Sequence, residues 1–479
     1  MYLCVHLPTV KKLFYETIKI FKLMKNIIAI ICIFFVTEAA FSQTGVLGYG
    51  SNAAIPSQMS NPALTTNARI VVSVPFMSSV MIEQNNSFKL TDWLSTEGGK
   101  TYLSFNKFLP LAQDNNSVNT NFGVDLFNVG LRVKDKNFFS IGAQTFSSNY
   151  GSFSKDLIKL VAEGNANHST ITLNKESVYH TVFSDIFFGY SRSLMDDKLK
   201  IGAKLKIIKG QSHFQTDNLN FTLTTDPNSN PAYAINVTGS MQAQAGGIAG
   251  IFTDTLLSPN SSDLVKKNFM GMGTGTGFDL GASYQVTPKL TLSASAINVG
   301  NITWKKEYAT KLAITGSGKF NFTGIKVNIN DGEDSNAADS IQQVAKDAFK
   351  VSQTKGEFSS ALPALIYFQA GYKFSEKHQV SAVFRTQSIN KKSNNLLGLS
   401  YAFTPNKLIQ LLGGVTLLNM KNPSLGAGIV FSPGPFQLHI LADNVSGLSG
   451  IDNTNRMQIQ MGLNVVIKDK KPSLTKPID

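Results

Sequence analysis

The residues best equipped for nucleophilic or metal chemistry in this chain are too scattered to perform it. Five histidines follow the N-terminal leader, His168, His180, His213, His378 and His439, and none stands at ligand spacing from another or from a carboxylate pair. Both cysteines, Cys4 and Cys32, fall inside the leader, so the mature chain has no thiol nucleophile, disulfide or thiolate metal site. The run Gly271-Met272-Gly273-Thr274-Gly275-Thr276-Gly277 lacks the Lys-Ser/Thr of a phosphate loop, and its period of two suits the start of a strand. Asp331-Gly332-Glu333-Asp334 misses the spacing of an EF-hand and reads as a solvated acidic turn. No Ser/His/Asp arrangement stands out at a strand end. The chain is therefore not expected to be an enzyme or to carry a metal or cofactor. What remains is polar and basic: Arg132, Lys200, Lys204, Lys206, Lys373, Arg385 and His439. Such a set suits anionic head groups or solutes, or a hydrated, plugged lumen.

The elements that carry these residues alternate with a period of two. Met457, Ile459, Met461, Leu463 and Val465 share one face of a strand, and Gln458, Gln460, Gly462 and Asn464 the other. In Lys198 to Ile207, Leu199, Ile201, Ala203, Leu205 and Ile207 oppose four lysines and Gly202. Phe278, Leu280, Ala282, Tyr284 and Val286 oppose Asp279, Gly281, Ser283 and Gln285, and Phe436, Leu438, Ile440 and Ala442 oppose Gln437, His439 and Asp443. Four lysines on one strand face cannot enter a dry core without heavy cost. They can face water outside a soluble sheet, or a wet lumen inside a barrel.

Tight turns decide between these. Extended runs meet across short Pro, Gly, Asp and Asn connections at 134–137, 195–197, 287–288, 375–377, 404–406 and 432–434. These six hairpins supply twelve strands, and an opening strand Arg69 to Glu83 and a closing strand Met457 to Ile467 raise the number to fourteen. Long polar connections, 85–119, 150–176, 211–274 and 301–361, join the hairpins on the other side. The pattern predicts an all-β fold, a transmembrane antiparallel β-barrel of about fourteen strands over 69–468 with short turns on one side and long loops on the other. A few loop helices are expected: Ala337 to Val351, capped by Ser335 or Asn336, and the weaker Asp156 to Glu163 and Ser262 to Asn268.

The leader fits this reading. Met24-Lys25, the apolar run Ile27 to Val36 and the small-x-small site Ala40-Phe41-Ser42 form a signal peptide ending at residue 42, with 1–23 an upstream extension of it. Removing its five lysines and two glutamates from the 44 basic and 31 acidic residues leaves a mature net charge of +10. Export through such a signal sends the chain to the bacterial outer membrane and removes nucleic acid from its expected partners. Residues 43–68 lack a strand pattern and read as an ordered loop or plug segment, and 469–479 as a tail.

At Asn61-Pro62-Ala63 within that plug, the chain resembles the long-chain fatty-acid transporter (FadL) family of outer-membrane proteins. The likeness is strongest to uncharacterised relatives in bacteria that use type IX secretion, where a related barrel partners secreted proteins. The resemblance covers about 43–468 and implies a fourteen-stranded barrel whose lumen is filled by an N-terminal hatch holding Asn61, Pro62 and Ala63. It also implies hydrophobic ligands that leave sideways through a kinked strand. By itself, Asn before Pro equally makes a plain turn. Two functions follow as expectations. One is a barrel that sits in outer-membrane lipid and passes or binds hydrophobic or amphipathic small molecules. The other is a non-transporting barrel whose long loops dock a secreted or surface protein.

Overall fold

The computed structural model describes residues 45–51, 54–230, 232–247, 271–316, 318–320, 349–390, 392–445, 447 and 453–468. The signal peptide, both cysteines, the acidic turn 331–334, the expected helix 262–268 and the tail lie outside them. The wall is a closed antiparallel barrel of 14 strands. They are β1 (two halves, Ala68–Ser73 and Val80–Asn86), β2 (Asn115–Val133), β3 (Asn137–Ser154), β4 (Ser177–Leu194), β5 (Leu199–Asp226), β6 (Gly273–Gln285) and β7 (Leu290–Trp304). After the second long loop come β8 (Leu365–Lys373), β9 (His378–Ile389), β10 (Lys392–Phe403), β11 (Ile409–Leu418), β12 (Lys421–Phe431), β13 (Phe436–Ala442) and β14 (Arg456–Lys468). Each strand pairs with its neighbours in sequence, and β1 closes the ring by pairing with both β2 and β14. Closure satisfies every edge, which a sheet in hydrocarbon requires.

Alternation sorts the side chains as the sequence predicts. Phe127, Val129 and Leu131 on β2, Ile201, Leu205 and Ile207 on β5, Phe278 and Leu280 on β6, and Ile366 and Phe368 on β8 are exposed on the outer surface. They gather in the half of the wall next to the tight turns, forming the apolar band of a bilayer-spanning barrel. The inward positions between them are polar and buried, among them Lys204, Lys206, Asp279, Arg385 and His439. At the tight-turn end, Lys134 and Asp135 take φ of 49° and 52° in the three-residue turn between the paired Val133 and Asn137.

Four details depart from the sequence reading. The opening strand is not continuous: Pro75 and Phe76, with φ 61°, interrupt it between Ser73 and Val80. Proline removes a ladder donor, and the chain steps outward before pairing resumes. The connection 85–119 is not merely polar, since Phe88, Trp93, Phe105, Phe108 and Phe153 form an aromatic cluster in which Trp93 stacks on Phe108 at 4.1 Å. The loops 211–274 and 301–361 contain strands: β5 runs for 28 residues and forms a hairpin with Ala234–Gly247, to which Ala309–Gly316 and then Phe349–Lys355 add. Last, Phe349–Lys355 overturns the end of the helix expected over 337–351, because pairing with a neighbouring strand outweighs a helical period; residues 337–348 lie outside the described set. The helix expected over 156–163 is present as Lys155–Glu163, with the Ser154 hydroxyl accepting from the Leu157 N–H at 3.1 Å.

A closed ladder resists detergent until it is heated. The folded protein should therefore migrate differently on a denaturing gel before and after boiling, whereas recovery of the chain in a soluble fraction would contradict the barrel.

Candidate functional site

The candidate site is the lumen and the segment that fills it. Residues 45–67 enter the barrel and fold into two short helices, α1 (Val46–Tyr49) and α2 (Ala54–Ser60). A helix start leaves N–H groups without partners. The barrel supplies one: the buried Asp443 carboxylate accepts from Val46 N–H at 2.7 Å and Leu47 N–H at 3.1 Å. Gly45 allows this approach, since a Cβ there would lie 2.3 Å from the same carboxylate. Leu47 packs with Ala402, Leu412, Val430 and Leu441, while Tyr49 meets Tyr367 at 5.2 Å.

Asn61, Pro62 and Ala63 sit against the wall at one place. The Asn61 amide donates to Tyr49 Oη at 2.8 Å and to the carbonyls of Ala282 and Ala294, both at 3.2 Å. Its Oδ1 accepts from Ala63 N–H at 2.9 Å, which fixes the turn. Ser191 donates to the Pro62 carbonyl at 2.5 Å and Ser295 to that of Ser60 at 2.6 Å. Gly202 and Gly281, partners across β5 and β6, make the seat: a Cβ on Gly202 would lie 2.5 Å from the Pro62 backbone, and one on Gly281 2.0 Å from Asn61 Oδ1. Arg132 ties down the end of the segment by donating to Thr65 Oγ1 at 3.1 Å, to the Thr66 carbonyl and to the Ala68 carbonyl at 3.3 Å.

Above this segment lie two networks of buried charge. In one, Lys206 Nζ bonds Asn298 Oδ1 at 2.6 Å and Asp279 at 2.9 Å, with Asp185 at 3.7 Å. Lys204 lies 4.5 Å over the Phe187 ring, and Asp125 accepts from Ser78 at 2.5 Å. In the other, Arg385 pairs with Glu83, Asn85 and Asn121 donate to the same carboxylate, and Arg456 approaches Asp443 at 3.5 Å. Lys206 is thus met by carboxylates while Lys204 rests over an aromatic ring, and with Glu83, Asp125, Asp185, Asp279 and Asp443 buried beside them this level of the lumen is nearly charge-balanced rather than basic. His439 is fully buried with neither ring nitrogen partnered, beside Gly462, where a Cβ would lie 2.8 Å from its Cε1. Lys200 and Lys373 occupy a different level, lining a vestibule of ≈ 530 Å³ below the hatch at the tight-turn mouth.

An aromatic layer closes the lumen toward the long loops. Phe146 and Phe183 lie 5.5 Å apart, and Trp304, Phe358, Ile302 and Leu362 join them together with Ile55 and Met59 of α2. Trp304 donates to Ser360 at 2.8 Å and stacks on His213 at 5.5 Å. Within the glycine run, Gly273 finds its reason here. A Cβ at Gly210, Gly246 or Gly273 would fall 2.6–2.9 Å from the Trp304 ring, so these glycines clear its space. Between the hatch and the charged layer the cavity is only ≈ 10 Å³, scarcely room for one water. Among the described residues no group of acidic, histidine or cysteine side chains is arranged to hold a metal.

The sequence reading missed Glu83, Asp125, Asp185 and Arg456 as members of this interior, whereas it places Asp443 on the polar face of its strand. Glu83, Asp185 and Arg456 share the inward parity of their strands, so period-two counting carried to the strand ends finds them, but the bulge between Asp125 and Phe127 reverses the parity that Arg132 sets. Substitution at the seat tests the hatch: Gly202→Ala should cost about 1–3 kcal/mol in overpacking and accelerate proteolytic clipping of the N-terminal segment, whereas clipping at the wild-type rate would show the seat to be dispensable. Glu83→Ala should destabilise the barrel toward urea by about 3–5 kcal/mol by stranding Arg385, and combining Glu83→Met with Arg385→Met should restore much of the loss; a double variant no better than the single one would argue against the pair.

Comparison with known proteins adds the following. A family described as "Family of unknown function (DUF5723)" matches residues 62–443. No curated protein matches. Among solved structures, the chain is similar to the CymD monoaromatic hydrocarbon channel, with 11% identity, TM-score 0.37, and 90% of this chain and 95% of that one covered. It is also similar to the Pseudomonas putida toluene transporter TodX, at 12% identity and TM-score 0.37, covering 87% and 92%. A Pseudomonas aeruginosa FadL homologue matches at 11% identity and TM-score 0.39, covering 90% and 100%.

Proposed function

We propose that this chain, which belongs to the DUF5723 family, is an outer-membrane barrel that passes hydrophobic or amphipathic small molecules when its hatch shifts. The observation that carries the reading is the interruption of β1. Over 74–79 the wall is held by scattered bonds in place of a regular ladder: Leu463 N–H to the Met77 carbonyl at 2.8 Å, Asn464 to the Ser78 carbonyl at 3.0 Å, and Gln460 to Ser79 Oγ at 2.9 Å. Phe76 and Met77 are exposed on the outside, while Ser78 and Ser79 are buried on the inside. An apolar step toward lipid thus backs onto polar contacts that water can replace. Opening needs no continuous ladder to break. At 60–68 the hatch is held through hydrogen bonds that water can replace, so its release is limited by the apolar packing of Leu47, Ile55 and Met59.

The second reading is a docking barrel for a secreted or surface protein, of the kind found with type IX secretion. It is favoured by the closed aromatic layer and by strands that run past the apolar band into a sheet of long-loop segments.

Native mass spectrometry of protein extracted gently from its own membrane separates the two. A stoichiometric small hydrophobic molecule, lost in Asn61→Ala/Pro62→Ala, is the result expected for transport, together with faster uptake of such molecules into liposomes bearing the variant. A stable protein partner, an empty lumen and no uptake above that of protein-free liposomes would replace transport with docking.

A further inference from the structure

We propose that the vestibule at the tight-turn mouth is a binding site for a compact polyanion, a molecule carrying at least two phosphate or carboxylate groups, and that its occupant bridges hatch and wall. Lys198, Lys200, Lys373, Lys407 and Lys468 line this ≈ 530 Å³ space against a single acidic residue, Asp197. None of the five is ion-paired to a described residue, in contrast to the enclosed Lys206. Four of them stand on inward positions at strand ends, so the barrel itself fixes where their charge converges. Lys200 is within electrostatic reach of both Arg132 and Lys373. Like charges gathered in a concave, walled space focus a positive potential and repel one another until a counter-charge enters. The remaining lining is largely hydroxyl and amide, with Ser51, Ser57 and Thr65 on the hatch side and Gln369 and Gln410 on the wall. Its volume is that of a small-ligand site, but the lining offers little to an acyl chain. The site stands whether or not the barrel transports hydrophobic molecules. Because both hatch and wall line it, an occupant holds the hatch in its seat.

Calorimetry on the full-length protein in neutral detergent tests this with pyrophosphate, citrate and uncharged trehalose. Both anions should bind and trehalose should not, with affinity falling as salt rises. Lys200→Gln/Lys373→Gln/Lys468→Gln should weaken anion binding by about tenfold or more, while Lys306→Gln/Lys311→Gln/Lys350→Gln, which removes the same charge at the long-loop end, should not. If the first variant loses its heat-modifiable band, the three single replacements carry the comparison, each expected to weaken binding. Displacement of pyrophosphate by vesicles containing cardiolipin, whose head group carries two phosphates, would assign the natural source to a lipid head group, and displacement by a soluble sugar bisphosphate alone would assign it to a solute. Absence of anion binding to the wild type at low salt, or an equal loss in both triple variants, would overturn the site. Neither result bears on uptake of hydrophobic molecules, so the two proposals fail separately.

Discussion

Matching of charge inside the lumen is the constraint on which the rest of the structure depends. A wall that must be apolar toward lipid has only its inner face for polar side chains, and fourteen strands deliver more of them than water can reach. Three of the buried cations have a fixed counterpart, Lys206 with Asp279, Arg385 with Glu83 and Arg456 with Asp443, while Lys204 lies over the Phe187 ring. Such pairs contribute little net stability, but losing one partner is expensive, so they act as registration devices across strands far apart in sequence. Asp443 extends the device to the hatch, because the carboxylate facing Arg456 also accepts the first N–H groups of α1.

The hatch and wall are matched by shape as well as by charge. Two adjacent small residues, Gly202 and Gly281, let the Asn61-Pro62-Ala63 turn touch the sheet backbone, and three more glycines let Trp304 fill the other end of the lumen. Polar adhesion below and dry packing above divide the interior into layers of different character. The polar bonds at 60–68 can exchange with water, whereas the packing around Trp304, which takes in Ile55 and Met59, is dry.

How much of this was legible in the sequence follows from which solvents a strand separates. Between lipid and lumen, alternation is strict, so Lys204 and Leu205, or Asp279 and Leu280, declare their faces, and the tight turns fix the strand number. Beyond the apolar band both faces of β5 meet water or protein loops. Alternation there is no longer tied to lipid, and Gln211 to Asp226 reads as a polar loop although it is strand. Phe349–Lys355 carried too weak a pattern of its own to announce a strand whose formation depends on Ala309–Gly316. The lysines of the interior were visible from parity, but their neutralisation was not, since Asp185 and Asp279 reach Lys206 from two other strands. The Asn61-Pro62-Ala63 turn could be seen, while the glycine pair that receives it lies on strands far along the chain.

The interrupted strand also has a meaning for how the molecule is made. β1 is the seam of the cylinder: Ala68 stands opposite Lys468, nearly the whole chain away, while most other wall strands meet neighbours a short connection distant. Joining such remote ends carries the largest loop-closure entropy of any pairing in the wall, and Pro75 and Phe76 interrupt the ladder that forms there. The joint between first and last strands is thereby the slowest of the wall pairings to form, and the one place where closing the cylinder must accommodate a broken strand.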